Sequence, residues 1–135
     1  MRFARGRGPN QASERGFDTT IDDMTDDATT IAALKEAVRR FAAERDWEPF
    51  HNPKDVAMAL AVEAAELMEP FLWVSGEESR QIVDDPAKRL AVADEMADVA
   101  CLLLNMSLST GIDLSAAIES KMSRNALKYP APKRD

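Results

Sequence analysis

Cysteine, histidine and glycine are all scarce in this 135-residue chain, and each scarcity removes a class of chemistry. One cysteine, Cys101, allows no intrachain disulfide and no thiolate metal cluster. Set in the apolar run VACLLLNM, it is expected to be a buried structural thiol. One histidine, His51, cannot supply a Cys/His zinc site. Nor can it supply the Glu-x-x-His pair that a di-iron bundle draws from each of two helices. Five glycines include no glycine-rich phosphate loop, which excludes a P-loop enzyme. Basic residues are outnumbered, 17 Lys and Arg against 24 Asp and Glu, for a net charge of −7. A nucleic-acid polymer and an anionic membrane surface are therefore poor partners, although one nucleotide bound through a cation is not excluded. No stretch reaches the ~18 uncharged apolar residues of a membrane span, and no apolar segment follows the N-terminal arginines. The cytoplasm is the expected compartment.

What remains is 45% hydrophobic and 30% charged, which suits one domain with a single core. Residues 1–25, rich in arginine and glycine, read as a disordered tail, 26–130 as the domain, and 131–135 as a short C-terminal tail. Ile31, Leu34, Val38 and Phe41 place a first helix over about 30–45, started by Asp26 or Asp27. Asn52-Pro53 and Asp85-Pro86 are cap-plus-proline starts for helices over about 53–69 and 86–110, the second stopped by Gly111. Ser75 and Glu78 make a capping box ahead of a short connector over about 76–84 with little to bury. Asp113 caps a last helix over about 114–127, with Leu114, Ala117 and Ile118 facing inward. No strand-period segment occurs. The expected fold is an all-α four-helix bundle with one short connecting helix.

Two acid pairs stand out within that frame. Glu63 and Glu66 lie in AVEAAELMEP, and Glu95 and Asp98 in AVADEMADVA. The i, i+3 spacing puts both members of a pair on one helix face. Val56, Ala59 and Leu67 share the first face, and Ala91, Val99, Leu102 and Met106 the second. Carboxylates on apolar faces need a partner, and hard oxygen donors without a Cys/His cluster select Mg²⁺, Mn²⁺ or Ca²⁺. Lys121, Arg124, Asn125 and Lys128 form a stripe on the last helix, either a solvated face or a phosphate clamp. Trp47, Phe50 and His51 crowd one loop. Trp47 and Phe50 are expected to plug the bundle end, with His51 a satisfied hydrogen-bonding group. The other reading gives Trp47 and Trp73 to a nucleotide base. Together these parts suit cation-assisted hydrolysis of a nucleoside triphosphate.

FAAERDWEPFHNPKDVAMALAVEAAELMEPFLW, then DEMADV and KMSRNALKYP, resembles the all-α nucleoside triphosphate pyrophosphohydrolases of the MazG-like superfamily, in its dCTP pyrophosphatase branch. The resemblance covers about residues 30–130. The family motif, E-x-x-E then E-x-x-D, reads here as Glu63-Ala-Ala-Glu66 and Glu95-Met-Ala-Asp98, with 28 residues, 67 through 94, between them. The resemblance implies Mg²⁺, or Mn²⁺, at Glu63, Glu66, Glu95 and Asp98. It implies that Glu63 or Glu66 orients or deprotonates the attacking water. Cleavage would fall between the α- and β-phosphates of a dNTP, dCTP or a C5-modified dCTP first, in nucleotide-pool sanitation. It implies a homo-oligomer, tetramer or dimer, with sites near subunit interfaces. Trp47 and Trp73 match base-pocket positions, and Lys121, Asn125 and Tyr129 match triphosphate-binding ones; His51 and Arg124 complete the expected substrate-binding set. Animal dCTP pyrophosphatases carry a tyrosine and an arginine where this chain has Leu102 and Ser109, and a histidine where it has Val38. These departures bear on base preference and phosphate affinity. The competing reading is a non-catalytic nucleotide-sensing or helical oligomerisation module.

Overall fold

Helices begin where the sequence supplies a capping side chain. The computed structural model describes residues 24–132. Among them it contains α1 (Ile31–Ala43), α2 (Pro53–Met68), α3 (Gly76–Gln81), α4 (Pro86–Thr110) and α5 (Leu114–Lys128), and no strand. Three 3-10 turns, Glu48–Phe50, Glu69–Phe71 and Ile82–Asp84, sit in the connections. Asn52 accepts from the Asp55 N–H at 3.0 Å to start α2. Asp85 accepts from Ala87 and Lys88 at 2.8 and 3.1 Å to start α4. Asp113 accepts from Ala116 at 2.9 Å to start α5. Ser75 and Glu78 close a reciprocal capping box on α3. Each cap satisfies an otherwise orphaned N–H and contributes about 1 kcal/mol.

One start differs from expectation. Asp26 and Asp27 lie in a turn closed by the Ala28 and Thr29 N–H groups on the Thr25 carbonyl. The cap of α1 is instead Thr30, whose hydroxyl accepts from Ala33 at 3.1 Å. A capping oxygen must stand immediately before the first helical residue, and the aspartates are too far upstream. The N-terminal tail expected over 1–25 lies, apart from Met24 and Thr25, outside the described residues, as do 133–135.

α2 against α4 is the main packing contact; α1 also packs on α4, and the Ile82–Asp84 turn tucks against it. Ala42, Val56, Ile82, Val92 and Leu104 are the buried apolar side chains. The connector thus has more to bury than expected, because its 3-10 extension inserts Ile82. At the far end of α4, Gly111 adopts φ 69°, a left-handed stop that glycine tolerates best. Ser107, also buried, donates its hydroxyl to the Ile112 carbonyl at 2.6 Å and braces that turn.

α5 then leaves α4 through a bend of 102°. It buries no residue and packs extensively against no other element. Ala117 and Ile118 do not face inward as expected, because the bend carries their face away from this chain's own core. Cys101 is likewise exposed rather than buried. α4 is 25 residues long, and α1 and α2 cover only part of its circumference. Partial desolvation, then the nearby Asp98, raises the Cys101 thiol above its ordinary value. Among the described residues no single helix is long and apolar enough to cross a membrane.

Candidate functional site

The two helices that pack most closely are the two that carry the acid pairs. Buried Val56 lies seven residues before Glu63 on α2 and anchors that face against α4. Carboxylate oxygens of Glu63, Glu66 and Glu95 lie within 4.8 Å of one another. Asp98, the fourth expected ligand, is exposed and does not join that set, although its charge reaches both Glu63 and Glu95.

The cluster is electrostatically unsatisfied. Oε2 of Glu95 is buried and has no hydrogen-bond partner. The ion pairs among the described residues, Arg39–Glu36, Arg45–Glu44 and Arg80–Glu77, all lie elsewhere. Burial pushes the Glu63 carboxyl above its ordinary value, and Glu66 and Asp98 push it further. Desolvation also raises Glu95, followed by the charges of Glu66, Glu63, Asp98 and Asp94. A buried acceptor without a donor, ringed by like charge, fits a hard divalent cation. Glu63, Glu66 and Glu95 are the residues placed to hold one.

The expected aromatic plug is not formed. Trp47, at the cap of the Glu48–Phe50 turn, is 43% exposed, and Phe50 at its end is 70% exposed. Trp73, just beyond the Glu69–Phe71 turn, is 93% exposed. His51 is half-buried. On α5, Lys121 and Arg124 are exposed, Asn125 is half-buried, and Tyr129 at the helix end is exposed. Arg124 donates to the Ser120 hydroxyl at 2.6 Å, and the Lys128 ammonium lies 5.2 Å from the Tyr129 ring centre. The fold therefore gathers three of the four acids but leaves the α5 polar residues apart from them within one chain.

Two features escaped the sequence pattern. One is a shallow 340 Å³ depression lined by Ile31, Lys35, Leu108 and Asp113 among others, which contains none of the acid-pair residues. It lies about 20 Å along α4 from Glu95 at the helical rise. Ile31 and Leu108 carried no signal beyond being apolar. The other is the stack of Arg45 on Phe41, whose ring in turn meets Trp47 edge-on, foreshadowed only by the i, i+4 spacing of Phe41 and Arg45.

An all-α chain with a carboxylate cluster between its two central helices defines a class of helical protein with a candidate cation site. Within that class, the chain belongs to the MazG-like family, whose model matches residues 58–135 and so includes both acid pairs. It is 38% identical to dCTP pyrophosphatase 1 of Rattus norvegicus over 101 residues, which is 75% of this chain and 59% of that protein. The corresponding figures for dCTP pyrophosphatase 1 of Homo sapiens are 37% over 102 residues, 76% and 60%. The chain thus spans about three fifths of the length of these curated relatives. Its fold also matches the crystal structure of a pyrophosphatase from Archaeoglobus fulgidus DSM 4304. That match has a TM-score of 0.71 and 30% identity, and it covers 81% of this chain and all of the other.

Proposed function

We propose that this chain is a divalent-cation-dependent nucleoside triphosphate pyrophosphohydrolase acting on a deoxynucleotide, with a cytosine nucleotide first among candidates. The observation that carries the reading is the buried, unpartnered Oε2 of Glu95 among the oxygens of Glu63 and Glu66. Relatives named dCTP pyrophosphatase support the substrate class. A cation bound there, Mg²⁺ or Mn²⁺, would neutralise phosphate oxygens and make water more acidic.

The residues divide the remaining work. Water attacks the α-phosphorus, the bond from that phosphorus to the α–β bridging oxygen breaks, and pyrophosphate leaves with the bridging oxygen. The nucleoside monophosphate keeps the oxygen of the water. Glu63 or Glu66 orients or deprotonates the attacking water. Lys121, Arg124 and Asn125, with Tyr129 beside them, offset charge on the outer phosphates. Trp47 and Trp73, with His51 near the first, flank the base. Leu102 and Val38 are half-buried apolar groups, and the Ser109 hydroxyl bonds its own helix at the Met106 carbonyl, 3.2 Å away. None of the three presents a charge to the substrate, which favours a wider base range than dCTP alone.

The working form in this proposal is a homo-oligomer, a dimer or tetramer. Exposed apolar residues recur on three helices, as Met58 and Val62 on α2, Leu90 and Met96 on α4, and Ile118 and Met122 on α5. That distribution exceeds scattered surface hydrophobics and suits a second copy of the chain.

The deciding experiment incubates the protein with each dNTP and NTP, with and without Mg²⁺, and measures pyrophosphate against orthophosphate. Pyrophosphate and a monophosphate, only with metal, are expected. Orthophosphate as the product, or no turnover of any nucleotide, rejects the proposal.

A further inference from the structure

The end of α1 is built around an aromatic ring that does not enter the core. Phe41 belongs to the apolar stripe of α1, yet it is 44% exposed. The Arg45 guanidinium carbon lies 3.4 Å from the centre of the Phe41 ring. Arg45 Nη1 also donates to the Phe41 carbonyl at 2.9 Å. On another side Phe41 meets Trp47 edge-on, with ring centres 5.8 Å apart and an interplanar angle of 71°.

The backbone explains why Trp47 arrives there. Asp46 has φ 53°, the one positive φ among described non-glycine residues. The Trp47 N–H donates to the Ala42 carbonyl at 3.0 Å, and the Asp46 N–H to the Ala43 carbonyl at 3.2 Å. These are the two bonds of a Schellman stop, in which a left-handed residue folds the next one back over the last turn. That motif commonly pairs its final residue with an apolar residue one turn up, here Trp47 with Phe41. Aspartate tolerates the left-handed region better than most residues, but glycine is its usual occupant.

We infer that Phe41 and Arg45 are positioning residues for base recognition, holding the Trp47 indole at a fixed tilt beside the nucleotide. This rests on the proposed contact of Trp47 with the base. Arg45 is committed to the Phe41 ring and carbonyl, and to Glu44 at 3.4 Å, so its role is to brace the ring rather than to bind phosphate. Phe41 supplies an edge-to-face contact that restricts rotation of the indole. The consequence is specific: loosening the brace should weaken substrate binding and leave the chemical step alone.

The test compares Phe41→Leu, Phe41→Tyr, Arg45→Gln and Trp47→Leu in full-length protein with dCTP and Mg²⁺. Steady-state kinetics are measured alongside circular dichroism and thermal melting. Phe41→Leu should raise KM about two- to tenfold, the range that an aromatic pair geometry supplies, with kcat within about twofold. Phe41→Tyr should return KM to the wild-type value. Arg45→Gln should raise KM in the same direction, and it decides the matter should Phe41→Leu fail to fold. Trp47→Leu should raise KM at least as far, and Phe41→Leu should add little on top of it. Wild-type KM in folded Phe41→Leu and in Arg45→Gln, with KM raised in Trp47→Leu, would overturn the positioning role alone. Wild-type KM in Trp47→Leu would overturn the base contact and this inference with it. A loss of melting temperature and kcat at constant KM would mark the brace as merely structural, and would overturn it too.

Discussion

If the proposed homo-oligomer packs through α5, replacing Ile118 and Met122 by serine should convert it into monomers. The two side chains lie four residues apart on one helix face and are 53% and 64% exposed. Fully burying such a side chain contributes about 1.5–3 kcal/mol. Scaled by the exposed fractions, the pair has about 2–3.5 kcal/mol still to gain per chain. A contact made twice across a two-fold axis doubles that, so the variant loses about 4–7 kcal/mol. Dissociation should then become easier by about 10³- to 10⁵-fold. Sedimentation velocity at micromolar concentration reads the change directly. Far-UV circular dichroism should stay at the wild-type value, because α5 itself contains no buried residue. A double variant that sediments with the wild-type mass would show that this face is not the contact. A wild-type protein that is monomeric even at high micromolar concentration would sink the assembly reading itself.

Three further outcomes follow from the site and the helix ends. Glu95→Gln should keep the helical spectrum, lower kcat about 10²- to 10³-fold, and lose any rise in melting temperature on adding Mg²⁺; near-normal turnover would remove Glu95 from the site. Glu63 and Glu95 have pKa values raised above the ordinary 4.5, so the folded state binds more protons than the unfolded one above that value. Their contribution to stability is present at low pH and is lost as pH rises through the raised values. Metal-free protein should therefore melt lower as pH increases above 4.5, with Mg²⁺ flattening the slope, and a metal-free profile that is flat or rises would contradict the cluster. Glu36 and Glu78, which are lowered, act on the other side of 4.5 and do not confuse that window. Gly111→Ala meets no atom within 4 Å but must keep φ near 69°, so a urea titration should show a loss of about 1–2 kcal/mol; an unchanged midpoint would show that the turn relaxes.

Local chemistry was legible in the sequence and tertiary cover was not. Asn52-Pro53, Ser75 with Glu78, Asp85-Pro86 and Asp113 mark helix starts correctly because a cap acts within four residues. Thr30 was passed over for Asp26 and Asp27, since both residue types in that short stretch can cap and only the backbone decides between them. Trp47, Phe50, Cys101 and Ile118 were assigned interior roles for one shared reason. An apolar pattern reports that a side chain leaves water, not whether its cover comes from the same chain. The acid pairs were visible as charges on apolar faces. Their convergence depends on the register of α2 against α4, which no local spacing encodes, and that register admits Glu63, Glu66 and Glu95 while leaving Asp98 at the edge. The Phe41–Arg45–Trp47 cluster was hidden because Phe41 fits the core stripe so well.

The acid cluster occupies the main helix contact of the fold, so a cation bound there would also govern how well α2 and α4 pack. Val56 and Val92 draw the two helices together, while Glu63, Glu66 and Glu95 oppose one another across the same contact. Desolvation at that contact first, and then this opposition, raise the carboxyls of Glu63 and Glu95. A divalent cation bound in the proposed site would relieve the opposition, and metal binding and folding would then be linked in one quantity. Neutralising the cluster removes the same strain by another route. A variant with glutamine at all three positions should be a more stable metal-free bundle that no longer responds to Mg²⁺ and no longer turns over nucleotide. Such a gain in stability with loss of function would place the cost of the acids in the site rather than in the fold.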